Sequence, residues 1–167
     1  NKYIEIYNKT GSTVNLDEYR IIKGTNGAPF DPILGFPAGA TLDNDDIYLI
    51  CHTSADASIQ AVADYMTGNA NFTGDDALAL QKTPDGGTNW NNIDVIGIEG
   101  IDPGTGWDVA GVSIATSEHT LVRKSTVFSG NTDWASSAGT DASDSEWIVY
   151  AQDEFSYMDA HSMNCVI

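Results

Sequence analysis

This chain is cut into short pieces. No mainly apolar stretch runs far before Gly, Pro or Asp interrupts it, and only one short segment carries helical periodicity. Such punctuation predicts short strands joined by turns. Residues 2–8 alternate large apolar and polar side chains and stop at Lys9-Thr10-Gly11-Ser12, a strand followed by a turn. Residues 14–16 and 19–23 read as further strands, closed by Gly24 and Asn26-Gly27. Across residues 28–42 three prolines and two glycines predict a loop or irregular edge. Residues 46–52 have a continuous apolar centre, the mark of a central strand buried on both faces. Ile59, Val62, Ala63 and Met66 recur at three- and four-residue spacings, which predicts one short helix over residues 58–66, stopped by Gly68. Strand-like runs return at 77–81, 93–98, 119–123 and 146–151. The expectation is an all-β sandwich or barrel, and the absence of a linker or internal repeat makes residues 1–167 a single domain.

Charge narrows the function classes. Twenty-four acidic against seven basic residues give a net charge of -17. Arg123-Lys124 is the only adjacent basic pair, so the clustered cations that grip phosphate backbones are missing and direct nucleic-acid binding is not expected. A carboxylate-rich surface stays hydrated in high salt, which fits sea water or brine. An apolar fraction of 41% and an aromatic fraction of 10% argue for a folded core. No apolar run approaches the roughly 20 residues that span a bilayer, so membrane insertion is not expected. The chain starts at Asn1 with neither an initiator Met nor a signal-peptide pattern, as a processed or excised piece does. Cys51 and Cys165 read as one disulfide closing a very long loop, the alternative being two separately buried thiols.

Four segments in order, Lys2-Tyr3-Ile4-Glu5-Ile6-Tyr7-Asn8, Gly74-Asp75-Asp76-Ala77-Leu78-Ala79-Leu80, Ile93-Asp94-Val95-Ile96-Gly97 and Asp102-Pro103-Gly104-Thr105-Gly106-Trp107, resemble the bacterial lamin tail domain family. The resemblance continues through Thr120-Leu121-Val122-Arg123-Lys124, Asn131-Thr132-Asp133-Trp134 and Ser145-Glu146-Trp147. It implies an immunoglobulin-like β-sandwich and a secreted, non-catalytic accessory module of the kind joined to nucleases, phosphatases and other extracellular hydrolases. An attached catalytic domain or protein partner is the expected neighbour. Similar domains begin with another strand before the Lys2–Asn8 segment, so that strand is either missing here or supplied by something else. An unpaired edge invites strand addition.

Chemistry-bearing candidates are few. Asn71 with Asp75 and Asp76 offers hard oxygen ligands for calcium, without the spacing of an EF-hand loop. The preferred reading is that Asp in a turn accepts backbone N–H bonds and fixes the start of the next strand. Trp107 and Trp147 sit among strand-like residues and are expected in the core. Trp90 and Trp134 are loop-placed, and exposed indoles there can stack on the sugar rings of an extracellular polysaccharide. His52, His119 and His161 lie far apart, and the zinc, nucleophile-elbow and phosphate-loop motifs are absent, so no enzyme activity is expected. A free-standing polysaccharide- or calcium-binding protein and a structural spacer are the alternatives to the accessory module.

Overall fold

The computed structural model describes residues 1–163. Strands β1 (Tyr3–Tyr7), β2 (Val14–Asn15), β3 (Tyr19–Gly24), β4 (Asp31–Gly35), β5 (Thr41–Leu42) and β6 (Ile47–Cys51) lead into helix α1 (Ala57–Gln60). After it come β7 (Tyr65–Met66), β8 (Ala77–Lys82), β9 (Asn91–Ile96), β10 (Thr120–Arg123), helix α2 (Trp134–Ala138) and β11 (Trp147–Tyr150). The fold is all-β, with sheets in the orders β1-β6-β7 and β4-β3-β8-β9 and the two-stranded ribbons β2-β5 and β10-β11.

Neighbouring residues of one strand serve different cores, because successive side chains point to opposite faces of a sheet. On β3, Ile21 joins Leu16, Leu34, Tyr48, Ile50 and Leu78, whereas Ile22 joins Ala79, Val95, Trp107, Trp134 and Trp147. On β6, Tyr48 and Ile50 face the first of these clusters, while Leu49 and Cys51 pack with Ala55 and Ile59 under Phe155 and Met158. Two sheets thus separate three apolar layers. This explains why all five residues of β6 are buried, as their continuous apolar run requires.

Three segments depart from expectation. Residues 28–42 contain a strand, β4, which pairs antiparallel with β3 as a sheet edge; Pro32 is tolerated there and the register shifts beside Ile22. The helix foreseen over 58–66 is only the single turn of α1, capped by Asp56. Its apolar spacing does not make a buried face: Ile59 is fully buried, but Val62 and Met66 are 42% and 49% exposed. Instead the Asp64 carboxylate accepts the Leu49 N–H at 2.8 Å while its own N–H donates to the Leu49 carbonyl, which draws Tyr65–Met66 alongside β6 as a parallel strand. The third departure is α2, where sequence reading placed a loop. Asp133 accepts the N–H groups of Ala135 and Ser136, and Gly139 at φ +66° ends the helix.

At the edge of its sheet, β1 is crossed by the C-terminal segment. Phe155 meets Tyr3, the Asp159 N–H donates to Glu5 at 2.8 Å, and His161 lies edge-on to Tyr7. No helix among the described residues is long and apolar enough to cross a membrane.

Ile50, fully buried between the two sheets, should be among the costliest positions to truncate. Ile50→Ala is expected to lower the unfolding free energy by about 3 kcal/mol, against roughly 0.5 kcal/mol or less for Ile148→Ala, whose side chain is 40% exposed. Urea denaturation of the two variants measures the difference, and equal losses would contradict the layering.

Candidate functional site

The carboxylates flagged by sequence meet at the Thr73 hydroxyl, and one of them, Asp76, has an ammonium group beside it. Asp76, buried at the start of β8, accepts the N–H of Asn26 at 3.1 Å and that of Thr73 at 2.9 Å, with Lys23 Nζ at 3.4 Å. Asn71 accepts Lys2 Nζ through its side chain at 2.9 Å and Lys23 Nζ through its carbonyl at 2.6 Å. Asp75 shares the Thr73 hydroxyl. The bonds from the Thr73 and Asn26 N–H groups fit the turn-anchor reading of Asp76. Burial pushes the Asp76 carboxyl upward in pKa, but the Thr73 and Asn26 N–H groups and the Lys23 charge outweigh it and hold it below the usual carboxylate value. Among the described residues no group of three or more His, Cys, Asp or Glu side chains is arranged to hold a metal ion.

The tryptophans divide differently from expectation. Trp107 and Trp147 are buried, as foreseen. Trp134 is buried too, only 5% exposed, because α2 turns it inward onto Trp147 with ring centroids 6.5 Å apart; it offers a ligand no face. Trp90 remains half-buried. Its indole N–H donates to the Gly87 carbonyl at 3.0 Å, and the Arg20 guanidinium lies 4.2 Å over the ring. Cys51 is fully buried beneath the C-terminal segment, where burial pushes its thiol upward in pKa. Cys165, its foreseen partner, lies outside the described residues.

Two groupings went unnoticed in the sequence. The first is a polar row across the large sheet. Register places Arg20 of β3 opposite Gly35 of β4 and Gln81 of β8, and Gln81 opposite Asn92 of β9. Arg20 Nε donates to the Gln81 carbonyl oxygen at 2.7 Å, and the Gln81 amide donates to Asn92 at 2.8 Å. Alternation puts this row on the same face as Ile22 and Ala79, just beyond the tryptophan layer. The second grouping surrounds Arg123. Its guanidinium bonds Asp94 at 2.6 and 2.8 Å and Glu146 at 2.5 Å, and lies 4.1 Å over the Trp147 ring. Glu146 also accepts from Ser137 and Asn131, and Ser137 accepts the Trp147 indole N–H at 2.9 Å. Such a closed set of ionic and hydrogen-bonding partners holds structure.

The histidines stay apart in their bonding. His52 Nδ1 accepts the Ser54 N–H, His119 bonds the Ser117 carbonyl, and His161 packs on Tyr7. A depression of about 450 Å³ between Glu18, Lys82, Thr83 and Asn91 gathers one carboxylate and one ammonium, which pair at 3.9 Å. No protein-family model matches the chain, and no curated protein matches it significantly.

Arg123→Ala leaves Asp94 and Glu146 partly buried without their cation and is expected to cost about 2–3 kcal/mol, read by denaturant unfolding; a loss below about 0.5 kcal/mol would reduce the cluster to a surface ion pair. Asp76 supplies a pH signature. Its folded-state pKa lies below the unfolded value of about 3.9, so its contribution is complete above that pH and disappears as pH falls through the lower folded value. The stability difference between wild type and Asp76→Asn should therefore shrink between pH 7 and pH 2.5 or so, and a gap independent of pH would show that the charge is not what matters.

Proposed function

We propose that the chain is a non-catalytic binding and accessory module of a secreted protein, of the lamin-tail type that its motifs resemble, acting beside an extracellular hydrolase such as a nuclease. The observation that carries this reading is the use made of its carboxylates. Asp76 fixes the entry to β8, Asp133 caps α2, Asp85 accepts the N–H groups of Thr88 and Asn89, and Asp144 accepts those of Thr140 and Asp141. Groups that could serve as general acids or bases are instead bonded to the backbone, several with pKa values lowered by those bonds. A general base needs a pKa near the working pH, and Asp76, Asp85 and Asp144 are shifted the other way.

A second reading, an extracellular polysaccharide binder, is favoured by Trp90. It is the one loop-placed tryptophan that keeps an accessible surface, and it sits at the open end of the large sheet. The layered β-scaffold suits either role, since a rigid sheet holds its surface side chains in fixed register.

The purified chain should show no turnover of DNA, phosphomonoester or glycan above buffer. Removing it from the parent hydrolase should raise KM on polymeric substrate while leaving kcat on a small soluble substrate unchanged, because positioning acts on capture and not on chemistry. Hydrolysis by the purified chain that is lost on changing one of its own carboxylates would overturn the reading.

A further inference from the structure

We propose that the row Gly35–Arg20–Gln81–Asn92, with Trp90, is a binding site for a carboxylate-bearing sugar, a uronate unit of an acidic polysaccharide. The inference deepens the binding-module reading and rests on it.

The reason lies in how the two arginines are treated. The chain holds 24 acidic residues and only 7 basic ones. Arg123 is bonded to two carboxylates, and Lys9, Lys23 and Lys82 each pair with one. Arg20 pairs with none among the described residues. Its Nε is held by Gln81 and one of its faces by Trp90, so the guanidinium is oriented, while the four N–H groups on Nη1 and Nη2 carry no hydrogen bond among the described residues. An oriented guanidinium with its outer edge unbonded is the geometry that takes a carboxylate with two parallel N–H···O bonds. Lys2 and Lys124 also lack a carboxylate partner, but their ammonium groups are bonded to amide and carbonyl oxygens, whereas the outer edge of Arg20 meets no carboxylate among the described residues and is left available to one from outside.

The neighbours set the rest of the ligand. Beside Arg20 lies Gly35, where an added Cβ would meet nothing within 4 Å, so approach along the β4 side is open. On the other side Gln81 and the exposed Asn92 present side-chain amides, each with donors and an acceptor. Such amides suit the vicinal hydroxyls of a sugar ring, and the accessible part of the Trp90 indole suits its C–H face. From Arg20 to Asn92 the row crosses two strand spacings, about 10 Å, the scale of two linked rings. The row runs across the strands near the end of the sheet, from the edge strand β4 to the edge strand β9, and it is side-chain amides and a guanidinium that it presents. The net charge of -17 opposes a polyanion at long range, but that field is screened within about 8 Å at physiological salt, well beyond the distance of a direct ion pair.

The test is an NMR titration of the chain with tri-galacturonate and, in parallel, with neutral maltotriose, following the Trp90 indole and Arg20 side-chain N–H signals. Tri-galacturonate should shift these signals saturably, and Arg20→Gln should weaken binding at least about tenfold. Arg20→Lys should recover part of the loss, because it restores charge without the paired donors. Maltotriose binding as tightly, equal binding by Arg20→Gln, or no shift up to millimolar uronate would each overturn the site. Thermal unfolding of both variants checks that the fold is intact, and Trp90→Ala and Asn92→Ala, which leave Arg20 in place, should each weaken binding by a smaller factor. Failure here with turnover still absent would remove the sugar site alone and leave the accessory-module reading standing.

Discussion

The structure hinges on one cation. Arg123 sits near the end of β10, between Asp94 of β9 and Glu146 just before β11, and flat on Trp147. Through Glu146 it reaches Ser137 of α2, and through Asp94 and Asn131 it reaches the loop that runs beside β9. β9 and the successive segments from β10 to β11 are thus tied together around one planar group. Lysine could not replace it, because a point charge can neither stack on the indole nor hold two carboxylates at fixed angles. The close approach of that loop has a further requirement: a Cβ at Gly130 would lie 2.2 Å from the Ile93 carbonyl oxygen. The tryptophan layer is consequently closed by ionic bonds at its rim as well as by apolar contact in its middle.

Acidity in this protein has two components. Some of it is surface charge, suited to hydration at high salt. Much of the rest is architecture, because a chain with such short strands must turn often, and an Asp that accepts two or three N–H bonds lets a loop satisfy its own backbone. The loop from Thr83 to Trp90 shows the device: Asp85 accepts from Thr88, Asn89 and the Asn89 side chain, and Thr83 donates to it. Lowered pKa values at Asp85, Asp141 and Asp144 follow from such bonds, since each favours the charged form.

What could be read from the residues followed the range over which their interactions act. Alternation and turn chemistry are local, and they located β1, β3, β6, β8, β9, β10 and β11 to within a residue or two. The turn role of Asp76 was equally local, with Thr73 three residues away. Helix periodicity over 58–66 misled, because the Asp64–Leu49 bonds to a strand 15 residues earlier outweighed it. Trp134 looked exposed because its helix is only five residues long, although Asp133 before it and Gly139 after it are start and stop signals that short length made easy to pass over. The Arg123 cluster was not legible at all. Its partners lie 29 and 23 residues away, and the sequence showed Arg123 only as half of a basic pair. Nor was the Arg20 row, whose members come from four strands and meet only through register.

That register also explains why the row stays polar. The tryptophan layer covers the face of the large sheet at Ile22, Ala79 and Val95, and its rim is drawn toward β9 by Asp94 and Arg123. One pleat further along β3 and β8 the cover ends, and the same face must meet water. Aliphatic residues there would form an exposed apolar patch on a sheet. A simple solvated row would need only short polar or acidic side chains, which this composition supplies in abundance. What stands there instead is one of only two arginines, braced by an amide on one side and an indole over its face. Solvation alone does not require such bracing, which reduces side-chain freedom that an exposed arginine otherwise keeps. Fixed orientation has a use when the group is to meet a partner of fixed geometry, and that is the physical ground for treating this end of the sheet as the working surface of the molecule.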